Sequence, residues 1–258
     1  MADITVRNQG EVSDEGLVNW RGDQVSVTPG GQSVFDTASV QMADLGSRKV
    51  VGDRVFRYTL AAGTIAAGDL AQLNPASLIN VTAGGTNPAG GKVFTFYFAT
   101  SNSANVFAEG TLHSQSGTAA NTGYTYRVKS QPIVATTSTA NLVLYDPLKI
   151  AANVTDKWSL HKNMYSGITV NTAGTAAPAG VVPVAVVSGD YFWLQTWGPV
   201  AVRGSAASAA GLPLIAGATG AVGAFSQSNT VAGAHFIGYS LQIITASEKG
   251  MVFLQIAP

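Results

Sequence analysis

No cysteine occurs among the 258 residues, which excludes disulfides and thiolate metal sites and leaves stability to packing, hydrogen bonds and association. Such a chain is compatible with a reducing cytoplasm. Charge is also scarce: Asp, Glu, Lys and Arg make up 11% of the chain, against roughly 25% in an ordinary soluble domain. Between Lys162 and Glu248 the only formal charges are Asp190 and Arg203. A surface this poor in charge points to one that a partner partly covers. Fourteen bases balance fourteen acids, so no long-range field draws in phosphates and direct nucleic-acid binding is not expected. Apolar runs such as Val181 to Val187 are too short to cross a bilayer, and Met1 to Gly10 lacks a basic flank followed by an apolar run. Neither a membrane anchor nor secretion is therefore expected. Without a leader, the N-x-Thr triplets at Asn80 and Asn153 read as accidents of composition.

Hydrophobic residues are plentiful, at 46%, enough for a sizeable core in one large β domain or two smaller ones. Residues 1–46 hold seven of the fourteen acids, show little periodicity and are interrupted by Thr28-Pro29-Gly30-Gly31. They read either as an extended N-terminal arm or as an edge strand and loop of the main domain. A β-rich body is expected over 47–258. Arg54 to Leu60 alternates, with Phe56, Tyr58 and Leu60 on one face and Arg57 and Thr59 on the other, as in a half-buried strand. Further strands are expected at Leu70 to Leu73, Val93 to Phe98, Tyr124 to Val128, Val182 to Val187, Tyr191 to Trp197, Val200 to Arg203, His235 to Leu241 and Met251 to Ile256. A Gly-Asp pair precedes a strand at Gly52-Asp53, Gly68-Asp69 and Gly189-Asp190. Glycine tolerates positive φ and Asp can bond the turn backbone, so the recurrence signals repeated turn geometry and not an ion site.

The polar stretch from Ser101 to Gly123 is long for a hairpin and reads as a surface insertion or a loop reaching a neighbouring subunit. Residues 93–162 as a whole are an insertion or second β subdomain. Only Ser205 to Ala210 and Thr139 to Tyr145 have a short helical character. The fold class is mostly β, a compact sandwich or barrel-like body with long loops and an extended N-terminal arm.

Chemistry finds little support. His113, His161 and His235 are far apart in sequence and lack metal-ligand spacing, and His235, opening an apolar strand, reads as structural. Gly84 to Lys92 imitates a phosphate loop, but Thr86 stands where its first glycine belongs, Val93 follows the lysine, and a strand pattern follows. Gly217, Gly220 and Gly223 lack dinucleotide spacing. There is no Gly-x-Ser-x-Gly motif, and Asp190 has no nearby acidic partner in its low-charge region. No enzymatic activity, cofactor or metal is expected. Tyr191, Phe192, Trp193 and Trp197 fall within seven residues and, by alternation, make both faces of their strand apolar. Core packing is the preferred reading, followed by a subunit interface and then a glycan-stacking platform.

Val51-Gly52-Asp53-Arg54-Val55-Phe56-Arg57-Tyr58, Ile65-Ala66-Ala67-Gly68-Asp69-Leu70, Val187 to Pro199, Ile237 to Leu241 and Met251 to Ile256 together resemble tailed-bacteriophage capsid cement, or head decoration, proteins. The likeness covers about 50–74 and 181–256. It implies a β-rich body, often a homotrimer, seated on the outer surface of the virion capsid after synthesis in the host cytoplasm and bridging neighbouring major capsid proteins. It implies no catalytic residue and no cofactor. On this reading Trp20 and Phe35 are arm anchors, and Trp193 and Trp197 are capsid or subunit contacts. The alternative is a carbohydrate-binding head or fibre module using Trp193 and Trp197 as its platform.

Overall fold

The computed structural model describes residues 32–73, 77–116, 123–172, 176–225 and 235–257. Two compact units divide the chain, one from Met1–Asn74 with Tyr165–Pro258 and the other from Pro75–Met164. The mostly β body expected from the sequence is present, and among the described residues the only helical element is a single 3-10 turn at Ala218–Gly220.

The discontinuous unit contains β1 (Thr37–Ala38), β2 (Arg48–Val51), β3 (Arg54–Ala61) and β4 (Leu70–Gln72), then β11 (Ser166–Val170), β12 (Pro178–Val181), β13 (Tyr191–Arg203), β14 (Pro213–Ala216), β15 (Val222–Ala224), β16 (Phe236–Ser240) and β17 (Lys249–Gln255). Their sheet runs β15-β14-β16-β17-β13-β12-β4-β11-β3-β2, and β13 also pairs with β3. That extra pairing closes β13, β12, β4, β11 and β3 into a small barrel. The barrel interior holds Ala61, Ala71, Ile168, Ala179, Phe192 and Leu194, three alanines beside two aliphatic side chains and one aromatic, a mix of small and large that fills a narrow interior.

β13 is the organising strand. Its first half pairs with β3, Tyr191 opposite Leu60 through Trp197 opposite Val55, and its second half pairs with β17, Trp197 opposite Gln255 through Arg203 opposite Lys249. The two strands expected on either side of Gly198-Pro199 are thus one strand of 13 residues. Double-sided burial of its aromatic half follows from closure, because Phe192 and Leu194 face the barrel interior while Trp193 packs with Val34, Leu45, Phe56 and Tyr58 on the other side. β3 is also buried on both faces, since Thr59 is as inaccessible as Phe56; the half-buried expectation fails because the face opposite the barrel interior, with Phe56 and Tyr58, is covered by Val34 and Leu45.

The arm expected over 1–46 is packed from residue 32 onward: Val34 and Leu45 are core residues, and β1 pairs with Tyr191 and Phe192. Residues 1–31 lie outside the described residues. The strand expected at Val182 to Val187 sits four residues earlier, as β12, because Val181 is the residue opposite Gln195. Ser205 to Ala210 is a turn segment containing the Ser208 bridge, not a helix.

The second unit comprises β5 (Ser77–Thr82), β6 (Val93–Phe98), β7 (Thr111–Ser116), β8 (Thr125–Ser130), β9 (Ser138–Leu144) and β10 (Lys157–His161), in the order β5-β10-β7-β8-β9-β6. A bridge between Ala83 and Phe96 joins the two ends of that order. The boundary expected at 93 would cut β5 away from the sheet it shares with β10, and the unit starts at Pro75. Thr139 to Tyr145 is not helical: Leu142, opposite Phe94, and Leu144, opposite Val128, are buried while Val143 between them lies opposite Val93, a period of two that a run of Leu-Val-Leu disguises. The polar 101–123 stretch is likewise no simple loop, because Phe107 is core and β7 pairs with both β8 and β10.

One turn device recurs four times. Ile65 with Val186, Ser208 with Ile244, Asn87 with Ala152, and Asn102 with Val134 each exchange a reciprocal pair of backbone hydrogen bonds. Three residues after the bridge the backbone turns left-handed, at Gly68, Gly189, Gly211, Ser247, Gly90, Asn105 and Thr137. In the first device the Gly68 N–H donates to the Val182 carbonyl and the Gly189 N–H to the Ala61 carbonyl, so its two arms are related by a local twofold; Gly211 to Ser240 and Ser247 to Gly204 repeat this. β4, β13, β14, β17 and β10 each begin five residues after their bridge residue. The Gly68-Asp69 and Gly189-Asp190 pairs belong to this device, and the Asp190 carboxylate accepts from the Val187 N–H at 3.0 Å, fastening its own turn. Gly52-Asp53 is instead the two-residue loop between β2 and β3, so the sequence recurrence joins two different geometries.

Arg203, at the end of β13, donates through Nε to Asp69 Oδ1 at 2.8 Å and through its terminal nitrogen to the Thr219 carbonyl. The Asp69 side chain is only 10% exposed, so Arg203→Met strands a carboxylate. We expect a loss of about 2 to 3 kcal/mol, below the range for a fully buried pair because Arg203 is partly wet. An unchanged denaturation midpoint with unchanged m-value would refute this.

Candidate functional site

Residues 32–46 reach the sheet through a polar knot centred on Gln32. The Trp193 indole N–H donates to the Gln32 carbonyl at 3.0 Å, and Lys49 Nζ donates to the same oxygen at 3.2 Å. The Gln32 side-chain amide donates at 2.7 Å to the carbonyls of both Asp36 and Tyr191. Tyr58 supplies the other half, donating its hydroxyl to Gln32 Oε1 at 2.9 Å and accepting from the Met42 N–H at 2.9 Å. Burial pushes the Tyr58 phenol above its ordinary pKa, which keeps the proton that the bond to Gln32 needs. The Lys49 ammonium lies 5.5 Å from the Trp193 ring centroid, so this nearly buried cation meets both an acceptor and a π face.

Beside the knot lies an open groove of about 540 Å³, bordered by Gln32, Phe35, Asp36, Thr37, Met42 and Val184 among others. Its large apolar rim residues point outward: Phe35 is 52% exposed, and Met42 is exposed as well. Arg54 places its guanidinium 5.9 Å from the Phe35 ring centroid. The arrangement offers apolar side chains and backbone polar groups on a supported loop, which suits recognition of a protein surface.

Of the four residues singled out in the sequence, Phe35 is on this rim and Trp20 lies outside the described residues. Trp193 is 7% exposed and lies beneath the 32–46 segment. It acts as an internal anchor, and its ring faces are not open for sugar stacking or for capsid contact. Trp197 is half-buried and packs edge-to-face on Phe253, with ring centroids 5.8 Å apart. The structure therefore joins Phe35 to Trp193 through Gln32 and leaves Trp197 on another part of β13. Sequence reasoning passed over Gln32; a lone Gln after Gly30-Gly31 carries no pattern that marks it as a hub.

In the other unit, two histidines far apart in sequence meet. His113 on β7 and His161 on β10 stack with centroids 5.0 Å apart and planes 13° from parallel, and His161 Nδ1 lies 2.7 Å from Ser77 Oγ. Burial and then the neighbouring His113 charge hold the His161 pKa below its ordinary value. The unfolded chain takes up its proton near the usual pH of about 6.5 and the folded protein only lower. The His161 contribution to stability is accordingly fully present above that pH and is lost as pH falls through the interval. Histidine proton NMR is expected to show His161 titrating low and moving upward in His113→Gln; a His161 pKa at or above the ordinary value would refute the stacking effect. Among the described residues no cluster of three or more His, Asp or Glu is placed to hold a metal ion. No protein-family model, curated protein or solved structure matches this chain.

Proposed function

We propose that this chain is a structural virion protein that binds the outside of an assembled phage capsid as a homotrimer and stabilises the lattice by bridging major capsid subunits. The observation that carries the reading is the exposed Phe35 and Met42 rim held beside the groove by the Gln32 knot. A loop fixed by Trp193, Tyr58 and Lys49 presents those side chains already ordered, so docking incurs little conformational cost. A protein that binds the assembled shell better than free subunits stabilises the shell by mass action, and several copies of a modest contact on one oligomer act together through effective concentration. No catalytic role is assigned to any residue.

The test is cosedimentation of the full chain with expanded capsids that lack it, followed by thermal disruption of the loaded shells. Saturable binding that raises the disruption temperature is expected. Phe35→Ser with Met42→Ser should weaken occupancy by roughly tenfold or more, as removal of exposed anchors does, while leaving near-UV circular dichroism unchanged. Absence of saturable binding by the unaltered protein would defeat the proposal. A deletion probing the N-terminal sequence should stop at residue 31, because removing residues 32–36 would also remove Val34 from the core and Gln32 from its knot.

A further inference from the structure

The outward side of the C-terminal strands is apolar to an extent that the groove does not explain. In β13, Val200 and Val202 face the core while Trp197, Pro199 and Ala201 face out. β17 repeats the alternation, with Val252 and Leu254 inward and Met251 and Phe253 outward. Register then aligns side chains across strands: Pro213, Tyr239, Phe253 and Pro199 are successive partners on β14, β16, β17 and β13. Met251 lies opposite Ala201, and Ile215 opposite Phe236, on either side of that row. An antiparallel sheet with one face on a core ordinarily presents polar residues on the other. Here the charges at outward positions are Arg203 and Lys249, together at one end, and Arg203 is already engaged by Asp69.

Phe236 and Tyr239 are each 44% exposed and Met251 is 40% exposed. The first two rings pack edge-to-face with centroids 5.2 Å apart, so the surface is shaped before anything binds it. With the half-buried Trp197, Pro199 and Phe253, the exposed apolar area is on the order of several hundred Å², the scale that each partner contributes to a standard interface of about 800 Å² a side. It is of the size of the largest apolar patch on an ordinary monomer, about 300 to 600 Å², a patch that is often functional.

We infer that this face is buried against a second copy of the chain. Area is one reason and charge the other. No carboxylate stands on the rows, and the chain has zero net charge, so copies approach without net repulsion, whereas a strongly charged partner would find no matching field. The inference rests on the self-association part of the functional reading and is independent of shell binding.

Sedimentation velocity of the full chain from about 1 to 100 µM tests it, with Tyr239→Lys/Met251→Lys as the first variant and Ala201→Arg as the second. Both place cations on exposed positions of the rows, and near-UV circular dichroism reports whether each still folds. The unaltered protein is expected to be oligomeric, and both folded variants to associate at least 30-fold more weakly, the effect of losing an interface centre. Should the double variant misfold, Ala201→Arg decides alone. An unaltered protein that stays monomeric throughout, or a natively folded Ala201→Arg protein that associates as before, overturns the inference. An oligomer that ignores capsids would defeat the shell reading and leave this face assigned, whereas a monomer that binds capsids would do the reverse.

Discussion

Gly198→Ala is expected to lower the melting temperature by about 6 to 20 °C, and the reason is local. Gly198 lies inside β13 with φ +89°, a conformation that costs an L-residue roughly 1 to 2 kcal/mol. A Cβ there would fall on the Asp53 carbonyl oxygen and stand 3.1 Å from Arg54 Cα. Those are backbone atoms of Asp53, in the β2–β3 turn, and of Arg54, which opens β3 opposite Val51 on β2, so relief requires the hairpin to shift against β13. Strain and overlap together come to about 3 to 5 kcal/mol, and a unit of this size loses about 2 to 4 °C per kcal/mol. Gly63→Ala is the control: a Cβ there meets nothing within 4 Å and φ is not positive, so stability should hold or rise slightly. A Gly198→Ala protein melting within about 2 °C of the parent would show that the β3–β13 junction yields.

Phe96→Ala should be comparably damaging, in the other unit. Phe96 is fully buried between Phe94, at 6.4 Å between centroids, and Phe98, at 5.1 Å. Removing a ring from such a cluster costs about 3 to 5 kcal/mol, because the neighbours cannot collapse into the space. Every member of that core cluster comes from residues 83–160. The loss should therefore appear in hydrogen exchange as reduced protection over 93–161, with protection of 191–255 retained. Equal loss in both regions would contradict the separation of the cores.

Strand type was legible wherever alternation met aromatic or β-branched residues. Phe94, Phe96 and Phe98 announce β6, and Val252, Leu254 and Ile256 announce β17 within one residue of its observed end. Where the pattern was a short apolar run, as at Leu142-Val143-Leu144, period and type were ambiguous, and only the pairing of β9 with β6 resolves them. Glycine-marked turns were readable at Gly68 and Gly189, but equivalent turns at Thr137 and Ser247 use residues that do not advertise positive φ, and Asn105 signals it less strongly than glycine. The stacked histidines were invisible for a different reason: their meeting depends on β7 lying beside β10, a long-range pairing that carries no local signal. The same holds for Gln32, whose partners Tyr58 and Trp193 are 26 and 161 residues away.

By itself the sequence determined what is additive along the chain: an almost entirely β protein without disulfides, with little charge, and with an aromatic strand apolar on both sides. Backbone propensity, alternation and turn chemistry act over a few residues and so can be read in order. The tertiary structure decided what depends on closure and register. It merged two expected strands into β13, drew Val34 and Leu45 into the core, buried Trp193 and left Tyr239, Met251 and Phe253 on one outward surface. Which face of a strand meets solvent is set by its neighbours in the sheet, and those neighbours come from distant parts of the chain.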